Sequence, residues 1–581
     1  MLLPLLFAAV LFFTGLGQLP LLEPDEGRNA EVAREMVETG DWVTPHYNNL
    51  TYLDKPPVYF WMVASSFTLF GPSEWSARLP GALIGLATVL LAWLWGRRVG
   101  ENEKGKGNEK GIAVTAALIL ASTPFMIVFS RIVIFDMTLH FLVSLSLISF
   151  WFLERSAFRS LRHTLLFFGS MGIATITKGP VGFLLPWLTV LAYLGFSGRL
   201  RELKRLRWAA GLSMFMAATL PWFLAVSWEN PDFPRYAFWN ESLMRFTTGS
   251  ARRGGPLYYY LPVFLFGFLP WSLFLVAGYA GRLRAWRKLR DPENRNALFL
   301  LCWTAVVFVF FSISRSKLPG YLLPAFTPLS LLTAKLWSEW PARDHSSESP
   351  APESPNWTRR GFWALGILGL LMAAVPWIHR MTQQQNALAE KVGPLAAGKL
   401  GATLISWGLI LAALSVLGRH MSHRPQGRQL TLLLLLLAFP LMLVRGWPTL
   451  QTYAASNSSK ALAEKIETSP DAGSAVYGYY CFRTGLGFYL RRPVHVITTG
   501  GSELTSNYIV SRLEEFLEKP GTTLYRLEHV ARLAQTNSKP LLILSRHENI
   551  SSMLQALPRA EPLWQVWKYS VWRVPPAELR P

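Results

Sequence analysis

An all-α polytopic membrane domain followed by a small C-terminal α/β domain is the fold class this sequence predicts, and three observations carry it. Apolar residues make up 51% of the 581-residue chain and fall in blocks long enough to cross a bilayer. Lys and Arg cluster in alternate short loops between those blocks, the pattern of a positive-inside topology. Beyond about residue 447 the apolar blocks give way to short strand-like and amphipathic segments.

Hydropathy places about thirteen spans, near 2–22, 76–96, 111–129, 135–153, 164–177, 180–197, 208–228, 257–281, 297–313, 319–337, 361–378, 399–417 and 430–446. The first block lacks the basic flank and small-residue cleavage site of a secretory signal, so it reads as a retained span. With a cytoplasmic N-terminus, the inner loops carry groups such as Arg97, Arg98 and Lys104, then Arg199, Arg201, Lys204 and Arg205, then Arg282, Arg284 and Arg287. The short pair 164–177 and 180–197 is kept as two spans, because merging them would put every later basic loop outside.

The net charge of +21 therefore sets topology, and nucleic-acid binding is not expected. Cys302 and Cys481 support neither a disulfide framework nor a thiolate metal site. Residues 338–358 read as a flexible Ser/Pro/Glu loop. An odd span count puts the stretch from residue 447 outside, giving a membrane domain over 1–446 and a soluble periplasmic domain over 447–581. There SAVYGYY, PVHVITT and PLLILSR read as strands, and SKALAEKIE and SRLEEFLEK as helices.

The polar stretch 24–75 between the first two spans is expected to form an outer loop. Asp25 and Glu26 open an amphipathic helix lying along the membrane surface, Gly40 and Asp41 end it, and Asp54-Lys55 precede the rigid Pro56-Pro57 pair. On this topology the unusual polar residues share the outer face: Asp25, Glu26, Asp54, Lys55, Arg131, Asp136, Lys178, Glu241, Arg245, Arg252, Arg253, Arg315, Lys317 and Tyr321. Carboxylates beside Lys, Arg and Tyr at a bilayer surface suit a lipid-phosphate donor. Cations hold the phosphate, while a carboxylate positions an acceptor or stabilises positive charge on a sugar ring. Structural readings stand beside this one: Asp25 and Glu26 as helix caps, Lys178, Arg315 and Lys317 as snorkelling anchors, and Asp136 paired with Arg131. His46, His140 and His379 are isolated, so no metal-ligand spacing is seen; a divalent ion is compatible with the acids but not indicated, and no cofactor is assigned.

The motifs PDEGRNAEVAREMVETGDW, DKPPVYFW, SEWSARLP, SRIVIFDM, TKGP, RRGGPLYYYLP and SKLPGYLLP occur in this order within about residues 1–340. Together they resemble the polyprenyl-phosphate-dependent glycosyltransferases of the GT-C membrane fold, most of all the lipid A aminoarabinose transferases and more distantly the protein O-mannosyltransferases. The resemblance implies an inner-membrane enzyme, acting as a monomer, that takes a sugar from undecaprenyl phosphate and gives it to a lipid or glycan acceptor at the periplasmic face, lipid A in the first place, with a protein, another glycolipid or a polysaccharide as the alternative. It further implies Asp25, Asp54 and Asp136 as the functional acids. Lys55, Lys317 and Tyr321 would hold the donor phosphate, with a further cation from Arg245 or the Arg252-Arg253 pair. Many of those enzymes have Glu where this chain has Asp54, and His before RRGGPLYYY where this chain has Ser242 and arginines. A transporter of a lipid-linked sugar is the rival of another class; it calls for broken helices in paired positions and internal symmetry, which the sequence lacks.

Overall fold

The computed structural model describes residues 2–101, 109–239, 254–280, 291–340, 354–381, 393–424 and 426–577. The chain divides into two compact units: Met1–Leu16, Leu79–Phe223 and Ser242–Leu450 in the first, and Gly17–Arg78, Leu224–Glu241 and Gln451–Pro581 in the second.

Seven helices among the described residues have the length and apolarity to cross a membrane: Glu74–Val99, Asp136–Arg155, Trp208–Glu229, Arg295–Ile313, Asn356–Ile378, Pro394–Ser422 and Gly427–Ser456. The span expected at 257–281 is instead a bent pair, Leu257–Gly267 and Trp271–Tyr279, at 114° to each other. Pro270 caps the second of these helices, and proline both lacks an N–H and disfavours helix at the residue before it. Four further apolar helices are shorter: Leu2–Phe13, Val58–Phe70, Gly111–Ser122 and Val181–Phe196. The block expected at 2–22 stops as a helix at Phe13, where Gly15 takes a φ of 67°. Val58–Phe70 is an apolar helix inside the stretch expected to be polar. The Leu161–Lys178 and Val181–Phe196 helices are separate, broken at Gly179 (φ 82°) and Pro180.

Large aromatic side chains fill the first unit. Trp95 meets Trp151, Trp303 and Phe299 at centroid distances of 6.1, 5.8 and 6.2 Å. Helices Asn356–Met381 and Pro394–Ser422 approach through Gly369 and Gly408, where a Cβ on Gly369 would sit 2.6 Å from the Gly408 carbonyl oxygen.

The second unit combines an N-terminal helix, a hairpin and a six-stranded sheet. The Asp25–Thr39 helix ends at Gly40, a left-handed cap whose N–H donates to the Met36 carbonyl. Strands β1 (His46–Tyr47) and β2 (Leu50–Thr51) pair antiparallel around Asn48 and Asn49, whose φ values of 56° and 63° fit a two-residue hairpin turn. The sheet comprises β3 (Ala475–Tyr479), β4 (His495–Ile497), β5 (Leu524–Tyr525), β6 (Leu541–Arg546), β7 (Glu561–Val566) and β8 (Tyr569–Val574). Its order is β5-β4-β3-β6-β8-β7, parallel from β5 to β6 and antiparallel at β8 and β7. Leu541 to Leu544 are all buried, the uninterrupted apolar run of a strand covered on both faces. The expected strand segments supply β3, β4 and β6, and SKALAEKIE supplies the helix Lys460–Glu467.

The Asp25–Thr39 helix departs from the amphipathic surface helix expected of it. Every residue from Glu26 to Met36 is buried, and the charged ones find partners inside the unit. Arg34 holds Glu31 through Nε and Nη2 at 2.7 and 2.9 Å. Glu35 accepts the backbone N–H groups of Asn48 and Asn49 at 2.6 and 3.0 Å, and burial together with the Glu31 carboxylate pushes its pKa well above the ordinary carboxylate range. Asn48 in turn exchanges two hydrogen bonds with the Val494 backbone, at 2.7 and 2.8 Å. The loop and the sheet are thereby one folded unit.

Candidate functional site

In the second unit, Asp25 and Glu26 occupy the first turn of their helix, where a carboxylate complements the positive end of the helix dipole. One helical step then separates their environments. The Asp25 side chain is 44% exposed and lies 2.5 Å from the Arg28 guanidinium, whereas Glu26 is buried and takes Nε and Nη2 of Arg78 at 2.8 Å each. Arg78 also donates to the carbonyls of Leu19 and Pro20. Arg28 is buried, donates Nη1 to Thr505 Oγ1 at 2.9 Å, and lies 6.0 Å from the Tyr52 ring centroid. Burial pulls its pKa down, but Tyr52, Asp25, Tyr47 and Asp54 outweigh that and the net shift is upward, so the guanidinium stays charged.

Asp54 is also buried, and its oxygens receive the Tyr236 hydroxyl at 2.5 Å and the backbone N–H groups of Asn507 and Tyr508 at 3.0 and 2.9 Å. The two N–H groups belong to the first turn of the short Asn507–Ser511 helix, which Asp54 therefore terminates electrostatically. Lys55 is half-buried and donates Nζ to the Asp54 carbonyl at 2.8 Å.

In the first unit, Asp136 opens the Asp136–Arg155 helix and Lys178 closes Leu161–Lys178, and the two meet at 2.7 Å. Lys178 Nζ also lies 4.6 Å from the Tyr321 ring centroid, a cation–π distance. Gly320 makes room for this group, since a Cβ there would come within 2.5 Å of Asp136 Oδ1. The structural alternative of an Asp136–Arg131 pair is replaced by Asp136–Lys178, and Arg131 donates to the Leu11 carbonyl at 2.8 Å. Lys317 is buried and its ammonium group donates to the carbonyls of Ser312 and Ser314. Gly254, Gly255, Ser312, Ser314, Arg315 and Lys317 line a cavity of about 360 Å³. Among the described residues, two cations and no carboxylate line it, so its field favours an anion.

A sequence profile of the dolichyl-phosphate-mannose-protein mannosyltransferase family matches residues 54–224. An undecaprenyl phosphate-α-4-amino-4-deoxy-L-arabinose arabinosyl transferase of Pseudomonas fluorescens is 34% identical over 313 residues, 53% of this chain and about half, 54%, of that relative. The transferase of the same name from Aeromonas salmonicida is 32% identical over 397 residues, covering 66% of this chain and 67% of its own length. The chain belongs to this aminoarabinose transferase family. The crystal structure of ArnT from Cupriavidus metallidurans bound to undecaprenyl phosphate superimposes with a TM-score of 0.80 at 26% identity, over 98% of this chain and 97% of ArnT. The protein is accordingly a multi-pass membrane protein of GT-C fold with a C-terminal sheet domain.

The family frame sorts the residues picked from the sequence. Asp25, Glu26, Asp54 and Lys55 lie in the second unit and Arg131, Asp136, Lys178, Arg315, Lys317 and Tyr321 in the first, while Glu241, Arg245, Arg252 and Arg253 lie outside the described residues. Among the described residues, no three His, Cys, Asp or Glu side chains converge as metal ligands. Sequence reasoning missed Arg28, Arg78 and Tyr236 as partners of the three loop acids. Arg28 was open to discovery as an i, i+3 mate of Asp25. Tyr236 carried no local signal, because its partner Asp54 is 182 residues away.

Proposed function

We propose that this protein is a glycosyltransferase that moves an aminoarabinose-type sugar from undecaprenyl phosphate to lipid A at the periplasmic face of the inner membrane, with its N-terminus cytoplasmic and its C-terminal domain periplasmic. The observation that carries the reading is the cationic cavity between the GGP and SKLPGY segments, in a chain whose family and fold are those of a protein solved with undecaprenyl phosphate. Lys317 and Arg315, the cations of this cavity, are the groups that would neutralise the donor phosphate.

In this reading the bond between the anomeric carbon and the donor phosphate oxygen breaks, and undecaprenyl phosphate leaves as a stable anion. An acceptor oxygen on lipid A forms the new bond. A phosphate oxygen is already a nucleophile and needs no base. Asp25, the half-exposed acid of the loop, then stabilises positive charge on the sugar ring, while Asp54 keeps the loop in register through its three hydrogen bonds. Asp136 and Lys178 present Tyr321 beside a neutral pair.

The test is to incubate purified protein with undecaprenyl-phosphate-linked aminoarabinose and lipid A and to follow both lipids by mass spectrometry. A sugar-sized gain on lipid A, lost in Asp25→Asn and requiring more donor in Lys317→Met, is the expected result. A gain on a protein or glycan instead would keep the donor class and replace the acceptor. Donor that stays intact yet changes leaflet in vesicles would favour the transporter reading.

A further inference from the structure

The segment Thr505–Tyr508 of the C-terminal module reaches two of the three loop acids, Asp54 and, through Arg28, Asp25. The Asn507 and Tyr508 N–H groups bind the Asp54 carboxylate, and Thr505 Oγ1 accepts from Arg28, whose other terminal nitrogen holds Asp25 Oδ1. The backbone at Thr505 is what makes this more than a convenient contact. Thr505 has φ 57° and ψ 28°, a left-handed conformation that a β-branched residue adopts only under strain. Glycine would fit that conformation without strain but would bring no hydroxyl. A strained residue kept where only its side-chain oxygen is needed points to a duty for that oxygen.

Arg28 explains what the duty is. Its guanidinium is buried and its Nε has no hydrogen-bond acceptor among the described residues, so its orientation rests on the two terminal nitrogens. One of these is held by Asp25 itself, which is 44% exposed; the other is held by Thr505. Without the threonine hydroxyl, the arginine and the aspartate it holds can rotate as a pair.

We infer that Thr505, through Arg28, is a positioning residue that fixes the Asp25 carboxylate for transfer, so that the C-terminal module takes part in the reaction without touching the substrate. The inference rests on the role proposed above for Asp25. A carboxylate meant to oppose developing charge loses effect steeply with misplacement, and a loss on the order of tenfold or more in kcat is the expected size.

Four forms of the full-length protein in detergent separate the possibilities: Thr505→Gly, Thr505→Ser, Asp25→Asn, and Asp25→Asn combined with Thr505→Gly. Thr505→Gly relieves the backbone and removes the hydroxyl, so its apparent Tm should be held or raised while kcat falls about tenfold and the KM for the undecaprenyl-phosphate donor stays put. Thr505→Ser should restore kcat, and the double variant should lose no more than Asp25→Asn alone. Unchanged kcat in Thr505→Gly beside an inactive Asp25→Asn would overturn the positioning role and leave the transferase reading standing. Loss of kcat in step with loss of Tm would make Thr505 merely structural. Full activity in Asp25→Asn would overturn the assigned duty of Asp25 and this inference with it.

Discussion

Asp136 and Lys178 form a 2.7 Å ion pair between two helix ends of the membrane unit, with side chains only 11% and 13% exposed. Removing one member of such a pair leaves a nearly buried charge unpaired, whereas removing both need cost little. Lys178→Met should therefore destabilise the protein by about 3 kcal/mol, and Asp136→Asn/Lys178→Met should recover most of it. Thermal unfolding in one detergent measures them together with Asp136→Asn; a loss in the double variant equal to the sum of the two single losses would show the two groups to be uncoupled.

Neighbouring acids should fail in different ways. Glu26→Gln removes the carboxylate that grips the buried Arg78 guanidinium through two nitrogens, and about 3 kcal/mol of stability should go with it. Asp25→Asn acts on a half-exposed group but loosens the buried Arg28, so it should cost about 1 to 2 kcal/mol, less than Glu26→Gln, yet abolish transfer. Paired melting curves and turnover assays should show the two losses on opposite axes.

Gly27 packs its backbone against Gly485 so closely that a Cβ on Gly27 would lie 2.7 Å from the Gly485 Cα, while a Cβ on Gly485 would lie 3.2 Å from the Gly27 Cα. Backbone cannot yield as a flexible side chain does. Gly27→Ala should cost about 1 to 3 kcal/mol and Gly485→Ala less, read from apparent Tm.

His495 sits stacked on Tyr477 at 4.7 Å, and burial, helped by Arg492, pushes its pKa below the ordinary 6.5. The unfolded chain then binds the proton more readily than the folded one, so its contribution is complete above pH 6.5 and is lost as the pH falls below it. His495→Phe keeps the stacking and should flatten the decline in Tm between pH 7 and pH 5; an unaltered slope would remove His495 as its source.

The apolar blocks were legible because bilayer length and hydropathy are local properties of the chain, and β3, β4 and β6 were legible for the same reason. The break at Gly179-Pro180 is a local stop signal too. The helix from Asp25 showed its position but not its surroundings. Its charged residues looked solvent-facing, yet Glu35 is answered by the Asn48-Asn49 turn, and Glu26 by Arg78, 52 positions away. The bend at Pro270 was hidden inside an apolar run that hydropathy reads as continuous.

The sequence by itself determined the membrane class, the C-terminal α/β module and the motifs whose acids and cations make up the candidate site, since each of these rests on composition or on short spacing. Only the tertiary structure decided what each acid is bonded to. It turned Glu26 inward to Arg78, tied Asp54 to Tyr236 and to Asn507, 453 residues away, and gave Asp136 to Lys178. Each partnership is settled by which buried charges the folded chain brings within hydrogen-bond reach, because an ion left unpaired away from water is too costly to keep, and no local pattern carries that information.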